Sequence, residues 1–204
     1  MGHKKGKTQR LLILSQLVAS GSVLHVMESY LPALAAMPGA KLGLANIVTM
    51  VTLALFPRSD AWKVVGLRVF LGSLLAGTLL SPTFLLSAAG AIGSVSAMMM
   101  TLSASKGSVS VIGTSIIGAV AHNTAQLLMA IFLARNVGLL FYLPYLLVFG
   151  LPTGYFIGTV SGFILRRFFP VHSRLESTGY GGDRQDLICR CRICNWSPQL
   201  PKED

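Results

Sequence analysis

Residues 69–105, VFLGSLLAGTLLSPTFLLSAAGAIGSVSAMMMTLSAS, carry no charged side chain over 37 positions. As one helix they would be about 55 Å long at 1.5 Å per residue, against a bilayer hydrocarbon core of about 30 Å. The run therefore has to break. Ser81-Pro82 is the place, because proline removes a backbone donor and pushes the residue before it out of helical geometry. Two membrane crossings follow from this stretch alone.

Working outward, four more uncharged runs fill most of the chain: Leu11 to Met27, Leu42 to Pro57, Gly107 to Ala134 and Asn136 to Leu165. With the divided run they predict six helices, near residues 10–31, 40–56, 62–80, 83–102, 109–134 and 139–165. Composition agrees: charged residues make up 12% of the chain and the mean hydropathy is +0.65. A soluble domain carries about 25% charge, so a water-soluble globule is excluded. Helix is the expected form because lipid satisfies no backbone polar group, and the alternating strands of a barrel are missing from the sequence. Breakers mark the connections at Pro32, Pro38-Gly39, Pro57, Pro82, Lys106-Gly107 and Asn136 to Gly138, while Pro144 and Pro152 predict a kink or a broken start in the sixth helix. The expected organisation is a basic amino terminus (1–9), an all-α membrane domain of six transmembrane helices (10–168) and a polar, disordered cytoplasmic tail (169–204).

Basic residues orient the bundle. With a cytoplasmic amino terminus, Lys4, Lys5, Lys7, Arg10, Arg58, Lys63, Arg68, Lys106, Arg166 and Arg167 lie inside, and only Lys41 and Arg135 outside. Both termini are then cytoplasmic, and the net charge of +10 reads as a topology signal plus attraction to anionic lipid. Nucleic acid is not an expected partner, since the cations are not interleaved with stacking aromatics. A cleaved secretory signal ending near Val18-Ala19-Ser20 is the weaker reading of the first segment, because its apolar stretch continues to Leu34.

Polar groups at membrane depth are costly and mark candidate sites. Rise along the helices puts Glu28 about 27 Å above the inner end of the first, and His122, Asn123 and Gln126 about 20 to 26 Å up the fifth. Lys41 falls at the outer mouth of the descending second helix, with Asn46 about 9 Å below it. These six residues are the candidate solute-binding set: Lys41 to neutralise a carboxylate or phosphate, Glu28 to accept from an amine or pair with Lys41, the amides and imidazole to orient the ligand. The competing reading is interhelical glue. Arg68, near the cytoplasmic end of the third helix, is expected to snorkel to water. Of the small residues, Gly154, Gly158 and Gly162 suit internal packing, whereas Ser15, Ala19 and Ser22 on the first helix form a candidate face for a partner subunit.

Three strings carry a resemblance: Pro38-Gly-Ala-Lys-Leu-Gly-Leu-Ala-Asn-Ile-Val48, Ser81-Pro-Thr-Phe-Leu-Leu-Ser87 and Gly118-Ala-Val-Ala-His-Asn-Thr-Ala-Gln126. Over about residues 10 to 168 the chain resembles the bacterial Gx transporters, also labelled heptaprenyl diphosphate synthase component I. That family is similar in layout to the substrate-capturing S components of energy-coupling factor (ECF) transporters. The resemblance implies a multi-pass protein of the bacterial plasma membrane, a vitamin-like or isoprenoid- or quinone-precursor-like solute captured from outside, and ATPase and transmembrane coupling subunits supplied in trans. Its motif positions fall on Lys41, Asn46, His122, Asn123 and Gln126.

The chain is not expected to be an enzyme and no cofactor is expected. Its seven acidic residues form no aspartate-rich helix for magnesium diphosphate, and no phosphate-binding loop of the Walker type occurs. The alternative to a solute-binding subunit is a non-catalytic membrane component beside a prenyl diphosphate synthase. A scaffold in flavin or quinone electron transfer is a third reading, without a heme or iron-sulfur motif in its favour. Cys189, Cys191 and Cys194 in the tail are one thiol short of a zinc tetrad and make a weak metal candidate, with His172 as a possible fourth ligand.

Overall fold

The computed structural model describes residues 2–30, 43–104 and 109–176. Within them every regular element is helical: α1 (Gly2–Tyr30), α2 (Asn46–Leu55), α3 (Arg58–Leu75), α4 (Pro82–Ala104), α5 (Val111–Ala134), a 3-10 turn (Val137–Tyr142) and α6 (Leu143–Glu176). Among the described residues, four segments are long and apolar enough to cross a membrane: Thr8–Ser29, Pro82–Ala104, Val111–Ala134 and Val137–Leu165.

The break expected at Ser81-Pro82 is present, and its chemistry is local. α3 ends in a left-handed Gly77 (φ 66°), with Gly77 N–H donating to the Leu74 carbonyl and Thr78 N–H to that of Ser73. This is the paired closure that glycine permits after a helix, because it has no Cβ to clash at positive φ. The third helix thus stops five residues earlier than the sequence suggested. Pro82 then opens α4 at a position where its missing N–H costs nothing. At the start of α3, Pro57 holds Phe56 extended and ends α2. The expected broken start of the sixth helix is the 3-10 turn before Leu143, which Asn136 caps by accepting from Gly138 N–H at 2.9 Å.

α2 departs most from expectation. It has ten residues, about 15 Å of rise, where a helix over 40–56 would be about 25 Å, so α2 alone is half the thickness of a hydrocarbon core. It packs against α1, α3, α4, α5 and α6, and every residue from Asn46 to Thr52 is buried. A short helix buried on all sides, its polar Asn46, Thr49 and Thr52 included, belongs in the interior rather than against lipid.

Around it the longer helices approach closely. α4 buries Ser87, Gly90, Ala91, Ser94, Val95 and Met98, a stripe at helical spacing, against the α5 stripe through Thr114, Gly118, His122 and Gln126. A methyl group placed on Gly154 or Gly158 of α6 would come within 2.6 Å of Ile116 Cα or 2.7 Å of Ile112 Cα on α5, so these two glycines set that helix spacing. Gly162, the third of the series, faces open space. At the end opposite Glu28, Arg10 of α1 and Lys63 of α3 both pair with Asp60, a buried carboxylate at the start of α3.

Among the described residues the exterior is rich in large apolar side chains, and polar ones are buried among the apolar core. Phe70, Leu75, Ile92, Met100, Phe132 and Phe163 are at least half exposed, while Arg68, Asn46, Thr49, Ser94, Ser115 and Ser161 are almost wholly buried. A soluble fold inverts this; with lipid as solvent it is the stable arrangement.

Candidate functional site

Part of the polar interior gathers into a chamber toward the end of the bundle where α1 finishes and α2 begins. His25 and Glu28 come from α1, Gly43, Ala45 and Asn46 from the turn and start of α2, Arg68 and Val69 from α3, Ser87 and Ala91 from α4, and His122 from α5. The space left between them is about 10 Å³, roughly one water in size.

Local geometry explains how each group arrives. Glu28 sits one turn after His25, so both use the same face of α1. Its carboxylate accepts from the backbone N–H of Gly43, which stands at φ 74° and turns the chain into α2. A side chain there would be strained, and its Cβ would lie 3.1 Å from Asn46 Nδ2. Asn46 opens α2, and its Oδ1 accepts from Arg68 Nη2 at 3.3 Å. The remaining side chains rest where glycines leave room. The Arg68 stem lies 3.2 Å from the Cβ site of Gly21, the His25 ring covers Gly72 at 2.8 Å, and His122 and Gln126 cover Gly90 at 2.8 and 2.7 Å. His25 also meets Ser73 Oγ at 3.5 Å.

Of the residues singled out from sequence, Glu28, Asn46 and His122 line the chamber, and Gln126 lies beside His122 above Gly90. Asn123 points elsewhere: its amide donates to the Leu146 carbonyl of α6 at 3.1 Å, between α5 and α6. Lys41 and the tail cysteines Cys189, Cys191 and Cys194 lie outside the described residues. The α1 face is mixed, with Ser15 and Ala19 exposed and Ser22 buried, its hydroxyl donating to the Val18 carbonyl.

Arg68 corrects the sequence reading. It does not snorkel; it is 2% exposed and turned into the chamber. Snorkelling followed from a third helix begun at residue 62. α3 begins at Arg58, so Arg68 stands ten residues, about 15 Å, along it. His25 was also missed, although its place three residues before Glu28 on one helical face was a usable signal.

Chemically the chamber is lined by one guanidinium, one carboxylate, two imidazoles, one carboxamide and a hydroxyl, with the Gln126 carboxamide beside His122. Several of its donors are unused: Arg68 Nε, Asn46 Nδ2 and Gln126 Nε2 are buried without a hydrogen-bond partner among the described residues. No group of three His, Cys, Asp or Glu side chains among those residues is placed to hold a metal ion.

An apolar exterior, helices of membrane length and a buried polar chamber define a helical membrane protein. More particularly, the profile for heptaprenyl diphosphate synthase component I matches residues 17–164, and the chain belongs to that family. The match takes in every chamber residue named above. No curated protein and no solved structure matches the chain.

Proposed function

We propose that this protein is the solute-binding subunit of a transporter in a bacterial plasma membrane, working as an S component does. In this reading the chain is multi-pass, with six crossings and both termini in the cytoplasm. The chamber then opens toward the outside, and the Arg10–Asp60 pair lies at the cytoplasmic end. The solute is small, of vitamin or isoprenoid- or quinone-precursor type, and ATPase and transmembrane coupling subunits act in trans.

One observation carries the proposal: polar side chains from five segments meet in a buried space with donors left unused. An unsatisfied buried donor costs about 1–3 kcal/mol, so a cluster of them is poor glue for a bundle and suits a site completed by a ligand. A space of about 10 Å³ admits a larger solute only if the helices part. Relative tilting against a partner is the motion by which carriers of this kind expose a midplane site.

The test is His122→Leu in the full-length protein. Solute retained through purification, read by mass spectrometry, and uptake into cells should both fall at least tenfold while the unfolding temperature is held. Unchanged retention and uptake would remove the assignment.

The family name favours a second reading, a non-catalytic membrane component that accompanies a prenyl diphosphate synthase. Co-purification separates the two. ATP-binding and membrane coupling subunits support the first; a soluble prenyl synthase supports the second.

A further inference from the structure

Around the chamber, donors and acceptors do not balance. Arg68 makes one hydrogen bond, to Asn46 Oδ1, leaves Nε without a partner and forms no ion pair with a carboxylate among the described residues. Asn46 Nδ2, on the other branch of the same amide, is buried and unpartnered. Gln126 Nε2, on the α5 side, is a third such donor. Glu28, the acid that lines the chamber, accepts from the Gly43 N–H and attracts Arg68 electrostatically without a direct bond to it, so the spare donors stay unfilled.

A buried guanidinium is weakly hydrated, always charged and forked, so what satisfies it is a planar or tetrahedral oxyanion able to take two parallel N–H bonds. We propose that the chamber holds its solute by an oxyanion, a carboxylate or a phosphate, seated against the Arg68 guanidinium and the Asn46 amide nitrogen, with Gln126 donating from α5. The assignment rests on the solute-binding reading and adds the chemical class of the ligand. It also gives the Arg68–Asn46 bond a purpose: by accepting from Nη2, Asn46 Oδ1 turns its own Nδ2 outward as a donor.

The decisive variant is Asn46→Asp. It keeps an acceptor where Oδ1 stands, removes the free donor and sets a carboxylate in direct contact with Arg68, in addition to Glu28, which acts on it without a direct bond. The full-length protein is placed in phosphatidylcholine nanodiscs, and unfolding is followed with inorganic phosphate, inorganic pyrophosphate or acetate at matched ionic strength, against chloride. A parallel set of discs contains phosphatidylglycerol and no added oxyanion. The wild type should show a saturable rise in unfolding temperature with at least one oxyanion source. N46D should unfold at a higher temperature than wild type without any addition, and its apparent oxyanion affinity should fall at least tenfold; R68Q should lose the response as well. A response to phosphatidylglycerol alone, abolished in N46D, supports the same chemistry and assigns the oxyanion to a lipid headgroup. Responses in N46D and R68Q equal to wild type, or none in the wild type from any source, overturn the proposal. Mass spectrometry separates it from the broader reading. A retained neutral or cationic solute that His122→Leu still releases overturns the oxyanion and leaves the binding chamber standing; no retained solute and no response remove both.

Discussion

Arg10 and Arg68 show two ways of placing a guanidinium in one bundle. Arg10 is partly exposed, and its Nε donates to Asp60 Oδ2 at 3.1 Å, with Lys63 Nζ 3.5 Å from the other oxygen of the same carboxylate. Cation and anion are matched, and the effect is to tie the start of α1 to the start of α3. Arg68 is wholly buried, bound to one neutral amide and left with spare donors. The first arrangement does what a fold requires. The second burdens the fold, since Glu28 attracts the buried Arg68 charge without bonding to it directly and several donors stay unfilled, and such residues persist where a ligand or mechanism needs them.

Ligand response breaks or upholds that contrast: substitution of Arg68 should abolish it, and substitution within the Arg10–Asp60 pair should not. The largest effect is expected for Arg68→Met: the solute-free protein should be destabilised by about 3–5 kcal/mol, because the Glu28 carboxylate is left buried without its cation. It should at the same time lose oxyanion response. Thermal unfolding in nanodiscs checks both, and an oxyanion response that survives in Arg68→Met would collapse the comparison. Asp60→Asn should destabilise by about 1.5–3 kcal/mol through loss of charge-assisted bonds, with the oxyanion response intact.

Gly90→Ala sharpens the comparison from the chamber side. The added methyl would meet the His122 ring at 2.8 Å and Gln126 Cγ at 2.7 Å, where overpacking costs about 1–3 kcal/mol, and ligand response should weaken because the chamber wall moves inward. Asn123→Ala removes the bond to Leu146 and should cost about 1 kcal/mol, leaving solute retention unchanged; loss of retention would return Asn123 to the site. Gly162→Ala, with no atom near its Cβ position, should raise stability by about 0.5–1 kcal/mol through helix propensity and serves as the control for helical glycines.

Much of the candidate chamber is legible from the chain, and the reasons differ residue by residue. Asn46, His122, Gln126 and Glu28 stood out because polar groups inside uncharged runs are conspicuous, and counting rise placed them at similar depth. Asn123 was counted with them because depth does not resolve direction. Adjacent helical residues are turned about 100° apart, so His122 enters the chamber while its neighbour faces α6. Arg68 was misread because its depth depended on where α3 starts, and a helix boundary is the weakest quantity sequence supplies. α2 was drawn too long for the same reason: nothing in the apolar run marks Asn46 as its first residue, a role that depends on the Gly43 turn and its bond to Glu28.

From the order of residues alone came the lipid-soluble exterior, the helical class, the break at Ser81-Pro82 and the candidate polar depth, all of which depend on hydropathy, proline sterics and rise per residue. Only the packed bundle decided which polar groups meet, that Arg68 turns inward over Gly21, and that α2 is a short buried core. Those outcomes depend on helix rotation and on contacts between segments far apart in the chain, which no local pattern encodes.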